Sequence, residues 1–199
     1  MIPAKAKSIL LHTPMDSKTL IHECLKNNRA AQKHLYNTYA DVMLGVCYRY
    51  TKSLADAEDV LQEGFIKVFT NLHQYKQQGE LGAWIRRIMV HSSIDYLKKH
   101  SRYRNEMAYE QLPMHPVSDD NPAINLDTKD LVELIRELPA GYQTVFNLVA
   151  IEGFNHIEIG ELLGISEQTS RSQYSRARAT LVKKLNNISS SSIPKSYAR

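Results

Sequence analysis

Asp56, Asp59 and Glu63 recur at helical spacing with Gln62 between the last two. Carboxylates so paired can exchange protons or hold a divalent cation. Neither chemistry is completed here. No second acidic cluster accompanies them, and no histidine stands at partner spacing. A nuclease or nucleotidyl transferase would need a further carboxylate cluster for magnesium. Cys24 and Cys47 are the only cysteines, and neither belongs to a Cys-x-x-Cys pair. That argues against zinc and against a disulfide framework, and makes both thiols small buried hydrophobes. The sequence therefore predicts no enzyme, no cofactor and no metal, and leaves the ridge as a solvated face or a protein-docking surface.

A second group is basic. With Ile85 as origin, Leu81, Ile88, Met89, Ser92 and Tyr96 share an inner helix face, while Arg87, His91, Asp95, Lys98 and Arg102 line the outer one. Cations at both ends of such a stripe suit a surface that tracks a nucleic-acid strand. The preceding segment, 71–82, holds Tyr75, Lys76, Gln77 and Gln78, with Gly79 and Gly82 close behind. Amide side chains there could read an unstacked base while Tyr75 stacks on it, or the segment is a plain connector. Trp84 reads as a core anchor.

The sharpest local signal runs from His156 to Tyr174. A short helix reaches Leu163, Gly164 supplies a residue that tolerates a left-handed backbone, and Ser166 caps the next helix. Gly160 falls where the two helices of such a helix-turn-helix cross. Steps of about 100° per residue put Ser170, Tyr174, Ala177, Leu181 and Leu185 inside. Gln168, Ser172, Ser175, Arg176 and Lys183 then face out, with Thr169 and Arg171 at the edges. A polar and basic outer face suits a recognition helix in the major groove of duplex DNA.

The elements that must position these groups are helices. Strand-like alternation is almost absent, and apolar residues recur at helical spacing, as Leu35, Tyr39, Val42, Val46 and Tyr50 do. Helices are predicted over about 17–27, 29–50, 54–73 and 80–102, the third capped by Ser53, and again over about 127–137, 139–152, 155–163 and 167–187. Between the two sets, Pro113, Pro116 and Pro122 with Ser118 to Asn121 read as a linker. The predicted architecture is all-α. An unmatched leader (1–14) precedes a helical domain (15–103), an acidic linker (104–125), a second helical domain (126–187) and a disordered serine-rich tail (188–199). Met15 stands as a second candidate start.

Charge follows the same division. Residues 1–103 hold 15 Lys and Arg against 9 Asp and Glu, a net +6; residues 104–150 hold 3 against 8, a net −5; residues 151–199 hold 7 against 4, a net +3. Two basic modules separated by an acidic segment suggest two polyanion-facing surfaces. No apolar run approaches the roughly 18 residues of a membrane span. The segment from Met1 to Pro14 is too weakly apolar for a signal peptide, so a cytoplasmic location is expected.

In this order, the motifs resemble the extracytoplasmic-function (ECF) sigma factors of the sigma-70 family. Asp56-Ala-Glu-Asp-Val, Gln62-Glu63, Phe65 and Lys67-Val-Phe are similar to the region 2 signature, continued by Ala83-Trp-Ile-Arg-Arg-Ile and Ile94-Asp-Tyr-Leu-Lys-Lys. Leu138-Pro139, Thr144-Val-Phe, Ile157, Leu162-Leu-Gly-Ile-Ser, Thr169, Ser172 and Ser175-Arg-Ala-Arg resemble region 4. The likeness covers about residues 20–103 and 126–185. It implies an alternative sigma factor that binds core RNA polymerase and directs promoter recognition, −10 melting and transcription initiation.

On this resemblance Asp56, Asp59, Gln62 and Glu63 would dock on the clamp helices of the polymerase's largest subunit. Tyr75, Lys76, Gln77, Arg87, His91, Lys98 and Arg102 would read and hold the single-stranded −10 element. Ser166, Gln168, Thr169, Arg171, Ser172, Ser175 and Arg176 would bind the duplex −35 element. The acidic linker would pass near the RNA exit path, and an anti-sigma factor is a further implied partner. Regions 1.1 and 3 have no counterpart. His91 replaces a usual asparagine, Gly160 a usual alanine, and Ser170 and Tyr174 usual aliphatic residues. The rival reading is a stand-alone helix-turn-helix regulator, which would bind duplex DNA without polymerase and leave the 56–63 ridge unused.

Overall fold

The computed structural model describes residues 17–100 and 128–191. The leader, the acidic linker and Arg102 lie outside the described residues. All regular structure among the described residues is helical. The N-terminal half comprises α1 (Ser17–Leu25), α2 (Arg29–Tyr48), α3 (Leu54–Asn71), a 3-10 turn (Leu72–Gln74) and α4 (Leu81–Lys99). The C-terminal half comprises α5 (Thr128–Arg136), α6 (Ala140–Phe146), a π-helical segment (Asn147–Ile151), α7 (His156–Leu163) and α8 (Glu167–Ser191).

Local chemistry sets the helix ends. Asn27 turns left-handed at φ 60° to end α1, and Asn28 Oδ1 accepts the Ala30 and Ala31 amides to start α2. Ser53 Oγ accepts the Asp56 amide at 3.1 Å, as its sequence position predicts. Lys98 and Lys99 end α4, where cations favour the helix dipole.

Helices α2, α3 and α4 pack on one another. Leu35, Val46, Cys47, Val60, Val68, Ile85 and Met89 are at most 1% exposed. Val42, expected on the same stripe as Leu35 and Val46, is instead 65% exposed. The buried arc of α2 leans toward Met43 and Cys47, and Val42 lies beyond its edge.

The expected single helix over 139–152 is not continuous. After Phe146 the backbone widens, with the Glu152 amide donating to Asn147 O, five residues back, at 3.0 Å. Such widening marks a place where side chains must leave the regular ladder. Here Asn147 does so, reaching across to donate to Arg49 O at 2.8 Å. Of the tail expected from 188, residues 192–199 lie outside the described residues. Helix α8 continues to Ser191, because no glycine or proline interrupts the chain between Gly164 and Pro194.

The two halves do not keep wholly separate cores. Ala140, Val145, Leu148, Ile159 and Leu163 join the buried cluster of α1 to α4. A smaller cluster of Leu134, Ile135, Leu138, Tyr142, Ala177 and Leu181 holds α5 and α6 to α8. No helix among the described residues is long and apolar enough to cross a membrane.

Candidate functional site

The acidic ridge lies on α3, and its four residues are not equivalent. Asp59, Gln62 and Glu63 are exposed, whereas Asp56 is half-buried. Ser53 Oγ donates to Asp56 Oδ2 at 2.6 Å. The hydrogen bonds from Ser53 and then Tyr96 hold the Asp56 carboxyl below its ordinary range. Asp56 thus serves the start of its own helix. Beside the ridge, Tyr36, Asn37, Asp41 and Leu44 of α2 line a groove of about 760 Å³ with Glu58, Asp59 and Gln62.

On α4, Arg87 and Lys98 are exposed as expected. Asp95 pairs with Lys67 of α3 at 2.9 Å. His91 is half-buried. Burial first, then the Arg87 charge, lowers its pKa, with Asp95 opposing. Its Nε2 finds no hydrogen-bond partner among the described residues. Lys67, Asn71, Arg87, Ile88 and His91 enclose a pocket of about 280 Å³. A histidine whose folded pKa lies below its unfolded value, about 6.5, takes its proton more readily on unfolding. The stability associated with it is complete above that pH and is lost as pH falls through 6.5 toward the folded value. The melting temperature is therefore expected to fall less between pH 7 and pH 5.5 in His91→Asn than in the parent. An identical pH dependence in both would contradict this.

The loop before α4 is more tightly held than its composition implies. The Tyr75 hydroxyl donates to Gly79 O at 2.7 Å, and its ring packs 5.4 Å from that of Trp84. Gly79 at φ 87° and Gln77 at φ 57° make the turn that permits this. Lys76, Gln77 and Gln78 remain exposed. Tyr75 is thus tied to the loop and to Trp84, with Lys76 and Gln77 exposed beside it.

The helix-turn-helix follows its sequence closely. Asn155 and Glu158 form a reciprocal capping box at the start of α7. Gly164 ends it at φ 71°, and Ser166 Oγ accepts the Thr169 amide at 3.0 Å. The positions usually aliphatic carry a polar and aromatic substitute: His156 Nδ1 and Ser170 Oγ lie 2.9 Å apart. Tyr174 stacks on Phe146 at 6.0 Å and meets His156 edge-on at 5.9 Å. On the outer face Gln168, Arg171 and Lys183 are exposed, whereas Thr169, Ser172, Ser175 and Arg176 are half-buried. Arg171 leans on Glu167 at 2.6 Å. Arg178, which the quoted motif contains but the −35 set omits, is also exposed.

At the helix crossing, Gly160 is closely approached by the turn. A Cβ there would lie 2.8 Å from the Ile165 carbonyl oxygen, a backbone atom of the turn itself. Alanine would gain about 1 kcal/mol of helix propensity but incur about 1–3 kcal/mol of overpacking. Gly160→Ala is expected to lower the melting temperature, and an unchanged or higher value by calorimetry would show that the turn yields.

One contact was invisible to the sequence because it joins residues far apart in the chain. Glu152, with its side chain 4% exposed, accepts from Arg49 Nη2 at 2.8 Å and from Arg86 Nε at 2.6 Å. Around it, Gln143 Nε2 donates to Arg49 O at 2.6 Å, and Lys52 Nζ donates to Gln143 Oε1 at 2.8 Å. Arg136 lies 3.6 Å over the Tyr48 ring. The end of α2 is thus bound to the C-terminal half by ions and amides.

Comparison with known proteins shows the family. The family model for sigma-70 region 2 matches residues 35–103, and that for sigma-70 region 4 matches residues 128–181. The ECF RNA polymerase sigma factor SigE of Mycolicibacterium smegmatis is 34% identical over 151 residues, covering 74% of this chain and 58% of that protein. The ECF RNA polymerase sigma factor SigW of Bacillus subtilis is 29% identical over 182 residues, covering 86% of this chain and 97% of that protein. The solved RpoE of Bartonella quintana, in complex with the anti-sigma factor NepR, is 20% identical with a TM-score of 0.49, covering 77% of this chain and 96% of that one. With both family regions present in order over more than half its length, the chain belongs to the sigma-70 family, in its ECF branch.

Proposed function

We propose that this chain is an alternative sigma factor that docks on core RNA polymerase and directs it to promoters, catalysing nothing itself. Asp59, Gln62 and Glu63 of α3 meet the polymerase clamp, with Asp56 supporting them from the helix start. Arg87, Lys98 and Arg102 hold the phosphates of the melted −10 strand. The pocket around His91 takes an unpaired base whose edge Lys76 and Gln77 help to read, and Tyr75 braces that loop. Ser166, Gln168, Thr169, Arg171, Ser172, Ser175 and Arg176 bind the −35 duplex, with Arg178 added to them. The factor works in the cytoplasm, where polymerase and chromosome are, and an anti-sigma factor is a further partner.

The observation that carries this reading is the union in one chain of an exposed acidic ridge on α3 with a capped helix-turn-helix. Run-off transcription on genomic fragments tests it, with purified core polymerase and the chain added separately and together. Discrete transcripts that need both are expected. Specific duplex binding by the chain alone, with no transcripts, would make it a stand-alone regulator instead.

A further inference from the structure

Glu152 is a buried carboxylate held by two guanidinium groups from different helices. Its Oε1 accepts from Arg49 Nη2 at 2.8 Å and from Arg86 Nη2 at 3.0 Å, and its Oε2 accepts from Arg86 Nε at 2.6 Å. The Arg86 contact is bidentate, the geometry in which a planar guanidinium binds a carboxylate or a phosphate equally well. Arg87, next in the chain and assigned above to the −10 strand, lines the same cleft of about 350 Å³ with Arg86, Glu152 and Glu158. The C-terminal half thus sets two acids against the basic side of α4.

The seam between the halves has a polar part and an apolar one, and opening it gives up the contacts of Val145, Leu148, Ile159 and Leu163 with the cluster of α1 to α4. Buried ion pairs gain little over their hydrated partners, because desolvation offsets the attraction. The rest of the seam's polar part includes hydrogen bonds from Lys52, Arg136, Gln143 and Asn147 to carbonyl groups that water can serve once the halves part.

We propose that Arg49 and Arg86 form a binding site for the sugar–phosphate backbone of promoter DNA, which Glu152 occupies in the free chain as an intramolecular phosphate mimic. The closed chain is thereby shut to the strand until its halves part. The inference rests on the reading of α4 as the strand-holding helix. It adds two residues to that surface and makes Glu152 their competitor.

The test uses the full chain and an oligothymidylate of twelve nucleotides, since a phosphate site is indifferent to sequence. Dyes on Thr70→Cys and Lys129→Cys, both exposed positions, report the separation of the halves; Cys24 and Cys47 are buried. Glu152→Gln is expected to lengthen that separation and tighten binding about tenfold. The slope of log K against log salt should steepen by about 1.4, for two single-strand phosphates at about 0.7 each. Adding Arg49→Gln and Arg86→Gln should remove the gain. Should Glu152→Gln fold poorly, Lys52→Ala with Arg136→Ala opens the seam from its other side and should give the same gain. An open chain with unchanged affinity, an unaltered separation, or a gain that survives loss of both arginines overturns the proposal. Transcripts from the parent holoenzyme beside an unchanged affinity overturn this inference alone, whereas their absence overturns the reading beneath it.

Discussion

Reversing Asp59→Lys and Glu63→Lys together is expected to abolish association with core polymerase while the far-ultraviolet circular dichroism stays unchanged. Both side chains are exposed. The single ion pair at stake among the described residues, Lys99 with Glu63 at 3.8 Å, is long and solvent-facing. Pairs of that kind contribute about 0–1 kcal/mol, so the fold loses little. Binding loses far more, since like charges brought together across an interface cost several kcal/mol, on the order of a hundredfold or more in affinity. Asp56 is left out of the reversal because its carboxylate is tied to Ser53, and changing it would disturb the helix start as well as the surface. A pull-down of core polymerase that retains the doubly reversed protein in full would remove the docking assignment.

The second large effect is expected on strand binding. Arg87→Ala with Lys98→Ala should weaken the holoenzyme's hold on single strands of any sequence, matching and scrambled alike, by one to two orders of magnitude. Both side chains are exposed on α4. If each neutralises one phosphate, the slope of log K against log salt should fall by about 1.4. Discrimination between the two strands should survive, because phosphate contacts position the chain and base contacts specify it. Anisotropy titrations at three salt concentrations measure both quantities. An unchanged slope would place the phosphates elsewhere, and lost discrimination would assign Arg87 or Lys98 to base reading.

What could be read from sequence was local. Ser53, Ser166 and Gly164 act within a turn of where they stand, so their residue types suffice to predict their roles, and the helix-turn-helix emerged whole. Helical spacing likewise found the core of α3 and, in α4, Leu81, Ile85, Met89 and Ser92, but it missed Val90 and Ile94, each 1% exposed. The four ridge residues looked alike because the pattern encodes a face, whereas the Tyr96 contact that sets Asp56 apart comes from another helix. Tyr75 looked free for the same reason: its bond to Gly79 needs a left-handed turn that Gln77 does not advertise. The seam was wholly illegible. Glu152 is 66 residues from Arg86 and 103 from Arg49, and the backbone widening after Phe146 that turns Asn147 toward Arg49 follows from contacts across the fold, with no breaker in the sequence to mark it.

Both cysteines of the chain are buried. Burial pushes the Cys47 thiol up to about 11 and raises Cys24 as well. At neutral pH little of Cys47 is a thiolate, and the thiolate is the form that oxidants attack. Neither thiol of this chain is therefore a ready target for peroxide. If the genes it switches on answer to oxidative damage, the molecule that detects the oxidant has to be another one, and this chain hears of it second-hand.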